Sequence, residues 1–405
     1  MSRFDVARAA FVSAVLLLPL SACRGSGTPP TAFLPSSVDH RAPAAKAGLG
    51  ATLTTADNGQ IFGFDIDRNG NDGALASTQT VNSNGAVRVS METFDQNTGA
   101  ITSAFAKETG TVDSYAFDGI FTGDIGLVTH FVVPKGQLFA KRFYEVMNPV
   151  TAQKFTGNWT PPIHDIDVLQ AGVNQTSSTA VLLVIELQNQ DQPDLVVTNI
   201  GANTVSKTIK LDPALFAGGD GPELSQYTAA NKAVIALSPD GGTVGGRAPV
   251  NAIVDLATGA KSQFNGFNNG PFHAGFVNGA AVDPNTGILA TDTELNAQVE
   301  FYNVDKKLGV AAVQLPCTGD ESQTNSGAGI AVDPVNKLFL VTDPAYACDG
   351  SSDGAIVVYD EKGNQVEVIR GFKFAIAEPP PVINPGKRMG WAFGPGFNQL
   401  RQFFY

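Results

Sequence analysis

From residue 52 onward the chain alternates short apolar runs with brief polar breaks. Ile253-Val-Asp-Leu-Ala-Thr-Gly259, Val299-Glu-Phe-Tyr-Asn-Val-Asp305 and Ile356-Val-Val-Tyr-Asp-Glu-Lys-Gly363 share one form. Each is an apolar strand, a turn of Gly, Asn or Lys, and a return strand. Runs rich in Val, Ile, Phe and Tyr, bounded by such residues, read as β-strands. Looser versions lie upstream: Val89–Gly99, Phe143–Asn148 and Leu195–Gly201. The six begin near 89, 143, 195, 253, 299 and 356, a spacing of 46 to 58 residues. Ile61–Asp67 reads as an opening hairpin, a seventh unit.

A second element recurs. Gly279-Ala-Ala-Val-Asp283-Pro284 and Gly329-Ile-Ala-Val-Asp333-Pro334 place their Val-Asp-Pro turns 50 residues apart, and the copies run on to Ala-Thr-Asp292 and Val-Thr-Asp343. Ala236-Leu-Ser-Pro-Asp-Gly241 is a weaker relative. Each reads as strand, tight turn, strand, because Asp and Pro favour turns.

Four short strands per ~40–50 residues is the signature of a β-propeller. Six units and the opening hairpin predict an all-β fold of seven blades, with six as the alternative count. The C-terminal strands near Met389–Phe393 and Gln399–Tyr405 are expected to complete the first hairpin and close the ring. Closure removes exposed sheet edges. A pair of β-sandwiches is the competing architecture. The Val-Asp-Pro-Asn-Thr-Gly and Val-Tyr-Asp-Glu-Lys-Gly elements resemble NHL and YVTN-type propeller repeats of bacterial exported proteins. The resemblance is good over Ala233–Gly371. It implies fold and little function, since propellers host binding modules and enzymes alike.

The N-terminus reads differently. Arg3 and Arg8 precede an apolar run, Ala9–Leu20, too short for the ~20 residues that span a bilayer. This is the pattern of a secretory signal. The run ends Leu20-Ser-Ala-Cys23, which resembles the bacterial lipoprotein cleavage box. The resemblance implies removal of residues 1–22 and lipidation of Cys23, with palmitate among the chains. Arg24 in place of Asp implies the outer membrane in a Gram-negative cell. Residues 23–51, rich in Gly, Pro and Ser, read as a tether, and 52–405 as the propeller. Two cysteines remain, Cys317 and Cys348. In an exported chain they are a candidate disulfide, with two free thiols as the alternative.

Composition narrows the partners. The net charge is −12, with Lys and Arg scattered. Nucleic-acid binding needs clustered basic residues, so that class is excluded. Membrane contact is expected through the lipid alone. A hydrophobic fraction of 43% supports a sizeable core, and Gly 43 with Pro 24 suits many turns.

Candidate chemistry comes from the lead-ins to the inner strands, which converge at the mouth of a propeller's channel. They supply Asp113, His164 with Asp165 and Asp167, Glu223, His273, Asp320 with Glu321, and Glu378. Carboxylates around a mouth can hold a divalent cation. A lactonase-like propeller would use calcium there, with Glu223, Asp165, Glu321 and Glu378 as ligands and His273 and Glu321 in catalysis. The bland alternative is solvated loop charge. His130 alternates with apolar residues and reads as part of a strand. Asp65-Ile-Asp67-Arg-Asn69-Gly70 fits the first half of a calcium loop, but Ala76 stands where a bidentate Glu is required. An Asn-Gly hairpin explains the same residues.

Two function classes follow. The first is a lipid-anchored binding or scaffold module at the cell envelope. It would meet an envelope protein, a small molecule or a glycan through His164, Trp159 and Phe272. The second is a metal-assisted lactonase-like hydrolase. Tight divalent metal discriminates them.

Overall fold

The computed structural model describes residues 47–81, 87–109, 112–121, 125–133, 141–151, 153, 166–175, 177–186, 192–216, 222–237, 250–266, 277–293, 298–315, 328–344, 353–374 and 380–405. The strands form seven sheets, each a blade of antiparallel neighbours. The chain opens with β1 (Gly48–Thr54). Blade 1 holds β2 (Gln60–Ile66), β3 (Asp72–Thr80), β4 (Val87–Asp95) and β5 (Ile101–Thr109). Blade 2 holds β6 (Val112–Phe121), β7 (Ile125–Val133) and β8 (Lys141–Met147) among the described residues. Blade 3 holds β9 (Ile166–Asn174), β10 (Thr179–Glu186), β11 (Gln192–Asn199) and β12 (Thr204–Lys210). Blade 4 holds β13 (Glu223–Tyr227), β14 (Lys232–Leu237), β15 (Val250–Asp255) and β16 (Lys261–Asn265). Blade 5 holds β17 (Val277–Val282), β18 (Ile288–Thr293), β19 (Gln298–Asn303) and β20 (Leu308–Gln314). Blade 6 holds β21 (Ala328–Asp333), β22 (Leu338–Asp343), β23 (Gly354–Asp360) and β24 (Gln365–Phe372). Blade 7 holds β25 (Val382–Asn384), β26 (Met389–Phe393) and β27 (Gln399–Phe404), and β1 completes it.

The fold is a seven-bladed β-propeller. The six repeat starts read from the sequence fall in β4, β8, β11, β15, β19 and β23, the third strand of six blades. The Val-Asp-Pro elements lie at the turns between first and second strands. Two details of register differ. The opening hairpin does not pair with the C-terminal strands: Ile61–Asp67 falls in β2 and its turn, inside a complete blade. Closure uses the earlier strand β1, with Gly48 opposite Phe404 and Thr54 opposite Gln399. The last residues of the expected tether, Gly48–Ala51, are therefore strand. Ala236–Gly241 is also out of phase with the Val-Asp-Pro copies. Ala236 and Leu237 end β14, a second strand, and the inner turn of blade 4 is a 3-10 turn at Thr228–Ala230.

The core lies in the seams between blades. Each strand sends alternate side chains to its two neighbours. At the seam of blades 5 and 6, Phe301 meets Phe339 and Tyr359 edge-on, with centroids 5.5 and 6.0 Å apart. Blade 7 is tied to blade 1 by Trp391, fully buried, which packs on Phe94 at 5.4 Å and donates to the Gln96 carbonyl. Inner strands approach closely. A Cβ on Gly279 would lie 2.9 Å from the Cα of Gly329, so only glycine fits there.

Candidate functional site

Strand direction divides the propeller into two faces. One carries the turns between first and second and between third and fourth strands. Here the repeat aspartates work as turn builders. Asp283 Oδ1 accepts from the Asn285 and Thr286 amides at 2.7 and 3.2 Å. Asp333 Oδ1 accepts from Val335 and Asn336, both at 2.9 Å. Asp95, Asp255 and Asp360 do the same in the outer turns. Short side-chain acceptors bonded two or three residues on hold the chain in a tight turn. The repeat motif is thus explained by folding, without a ligand.

The calcium-loop residues have the same fate. Asp67 accepts from the Asn69 amide at 2.9 Å, closing a hairpin turn. Asp65 turns the other way. Its Oδ2 accepts from the Ile120 amide of blade 2 at 2.9 Å and from Gln175 Nε2 of blade 3 at 3.2 Å. Gln175 Oε1 accepts from the Arg68 amide at 3.2 Å. Three blades are drawn together at the turn-face end of the channel. Burial raises the Asp65 pKa to about 6, against the opposing pull of Arg68. Burial likewise raises Asp118 to about 7, although Thr129 donates to it at 2.6 Å.

The other face carries the connections between second and third strands and between blades. These include 238–249, 266–276, 315–327 and 344–353, all longer than the turns opposite. Trp159, His164, Asp165, Phe272, His273, Glu321, Glu378, Cys317 and Cys348 lie outside the described residues, as does Cys23. The strands that flank Cys317 and Cys348 do end on this loop face. Glu223 is described: it opens β13 at the loop face and is half-buried. Asp167 lies in β9.

Asp113 is not a channel-mouth residue. Its carboxylate turns into the seam with blade 1 and meets His130 Nε2 at 2.5 Å. Glu145 Oε1 meets His130 Nδ1 at 3.2 Å, and Tyr115 stacks on the ring at 4.1 Å. Burial opposes the imidazolium, but the two carboxylates outweigh it and raise the pKa. With both ring nitrogens engaged, this histidine ties the three described strands of blade 2 to one another and is no free base. The strand reading of His130 is right; the partners were legible only as distant letters.

Further buried carboxylates line the loop-face ends of the seams: Asp194, Asp292, Glu300 and Asp343, each at most 1% exposed. Sequence reasoning missed them. For Asp292 and Asp343 the available signal was the Thr-Asp that closes each long repeat copy, a polar residue at the end of an apolar strand. Among the described residues no cluster of three or more His, Cys, Asp or Glu side chains is arranged to hold a metal ion. A groove of about 170 Å³ between blades 4 and 5 is lined by Lys232, Asp255, Lys261, Asp305 and Lys307. Lys232 is already paired with Asp305 at 2.7 Å.

No protein-family model matches the chain, and no curated protein sequence matches it. Among solved structures it is similar to the β-propeller domain of Cps50 (Swd1) from Myceliophteria thermophila. The identity is 13% and the TM-score 0.47, over 89% of this chain and 99% of that one.

Proposed function

We propose that the protein is an exported propeller, lipid-anchored through Cys23, that binds a partner with its loop face. The observation that supports this reading is the division of the two faces. The turn face is spent on tight, self-bonded turns, and β1 begins there, at Gly48. A lipid at Cys23 would join the domain from that side through the tether and leave the long loops unobstructed. Trp159, Phe272 and His164 would supply aromatic and polar contacts to an envelope protein, a small molecule or a glycan. A Cys317–Cys348 disulfide would brace two of them.

A site-specific photo-crosslinker tests this in cells. Placed at Asn398 in the loop-face turn, it is expected to give discrete adducts. Placed at Asn364 on the turn face, it is expected to give none. Adducts from the turn face alone would reverse the reading. Loss of fatty-acid labelling in Cys23→Ser checks the anchor.

The second reading is a calcium-dependent hydrolase at the channel mouth. Glu223 favours it, since that carboxylate opens an inner strand at this face. Asp165, Glu321, Glu378 and His273 would supply the rest. Turnover of a lactone panel, abolished in Glu223→Gln, would displace the binding module.

A further inference from the structure

We propose that residues 55–59 form a proton-gated strap at the ring closure, latched while Glu92 beneath it is neutral. The device is independent of the loop-face binding reading. The strap runs on the loop face from β1, the closing strand of blade 7, to β2 of blade 1. It is a turn that holds its own shape. Thr55 Oγ1 donates to the Gly59 carbonyl at 3.0 Å, and the Gly59 amide donates to Asp57 Oδ1 at 2.9 Å. Its blade 7 end is fixed by the Thr55 amide, which donates to the Asn398 carbonyl at 3.0 Å.

Its grip on blade 1 uses two carboxyl groups. Ser77 and Ser90 stand opposite one another in the ladder of β3 and β4, and Glu92 is next along that face, opposite Leu75. Asp57 accepts from Ser77 at 3.4 Å and from Ser90. The Ala56 amide donates to both Glu92 oxygens, each at 3.1 Å.

Glu92 is 0% exposed, and no Lys, Arg or His pairs with it among the described residues. The strap sets a second acid, Asp57, beside it. The other charged groups on this face of blade 1 are Arg88 and Glu108, ladder partners beyond Ser90, both exposed. Lys107 stands opposite Val89, on the other face. Across the seam, blade 7 presents the uncharged Leu53, Trp391, Phe393 and Leu400. A buried carboxyl with no cation gives up its charge. Burial raises its pKa to about 7; the Ala56 amide pulls the other way, and the Asp57 charge adds to the rise.

Ala56 lies directly over the carboxyl group, so lifting the strap gives Glu92 to water. An ionised Glu92 favours the lifted strap, where water solvates it away from Asp57. A neutral Glu92 favours the closed one, and opening releases a proton. The closed-form pKa is raised, so the stabilisation of the closed strap is fully present below the ordinary value of 4.5 and is lost as pH rises through about 7.

Hydrogen exchange of the full chain, read by mass spectrometry on peptides covering 53–62, tests this, with β22 as the reference. After correction for intrinsic exchange rates, protection of the strap should fall at least about tenfold between pH 5 and pH 8. Glu92→Gln stays neutral and keeps an acceptor oxygen, so its protection should stay flat across that range. Wild-type protection that is unchanged, or that rises with pH, overturns the strap. So does a fall that persists in Glu92→Gln, or one shared equally by β22, which would report unfolding of the whole chain. Circular dichroism establishes that the variant folds. Should it not fold, the wild type decides, and a fall outside the window from 4.5 to about 7 refutes the proposal.

Discussion

The two faces of this propeller are built by different rules. On the turn face, connections are short and each has its own acceptor: Asp95, Asp255, Asp283, Asp333 and Asp360 all bond to nearby amides. On the loop face, connections such as 238–249 and 315–327 are long, and the seams beneath them bury Asp194, Asp292, Glu300 and Asp343. The lesson is that recurring letters and chemistry-bearing letters need not coincide. The most regular motif in the sequence is a folding device. The less regular connections are where contact with other molecules is expected, because loops on a rigid scaffold tolerate variation.

Four experiments break or sharpen that contrast. The largest effect is expected at the closure. Trp391→Ala removes a fully buried ring and its bond to Gln96, and should cost ~3–5 kcal/mol in denaturant unfolding. A loss below about 1 kcal/mol would mean that the ring closure contributes little to stability.

Next comes a turn aspartate. Asp333 holds two amides and accepts from Tyr405 at 3.1 Å. Asp333→Ala should cost roughly 2–3 kcal/mol, because it strands buried donors. Asp360→Ala, at an exposed outer turn, should cost about 1 kcal/mol or less. Equal losses would show that burial does not separate the two.

The third test is pH. Burial raises Asp65 and Asp283 to about 6 and Asp118 and Glu92 to about 7. The unfolded values are near 3.8 for Asp and 4.5 for Glu. Each folded pKa is raised, so the fold favours the protonated form. That stability is fully present below the unfolded values and is lost as pH rises through the folded ones. Melting temperature should therefore fall between about pH 4 and about pH 7 from these groups. Asp118→Asn should flatten part of the fall. A melt that rises across this window would show that other groups dominate.

The smallest effect belongs to the loop face. Shortening 238–249 to a minimal turn should change stability by less than about 1 kcal/mol, since closure entropy varies slowly with length. Equilibrium unfolding measures it. A large loss would show that this loop is part of the core.

Much of the architecture was legible beforehand for a simple reason. A blade is local in sequence, so alternation and turn residues recur with each unit. Six third strands and the Val-Asp-Pro turns were readable on those grounds. The closure was misread by one strand. Gly48–Thr54 carries a weak apolar pattern, and its partner lies at the far end of the chain. Asp113 was placed at the channel for a similar reason: spacing gives its distance from other lead-ins, not the direction of its side chain.

By itself, then, the sequence determined the propeller class, the repeat period, the turns and the chemistry available in each repeat, because these depend on neighbours along the chain. Only the tertiary structure decided which way each polar side chain faces. Asp65 joins three blades and Asp113 clamps His130. Those choices rest on contacts between residues distant in sequence, and a one-residue change of register would turn each side chain to the opposite seam.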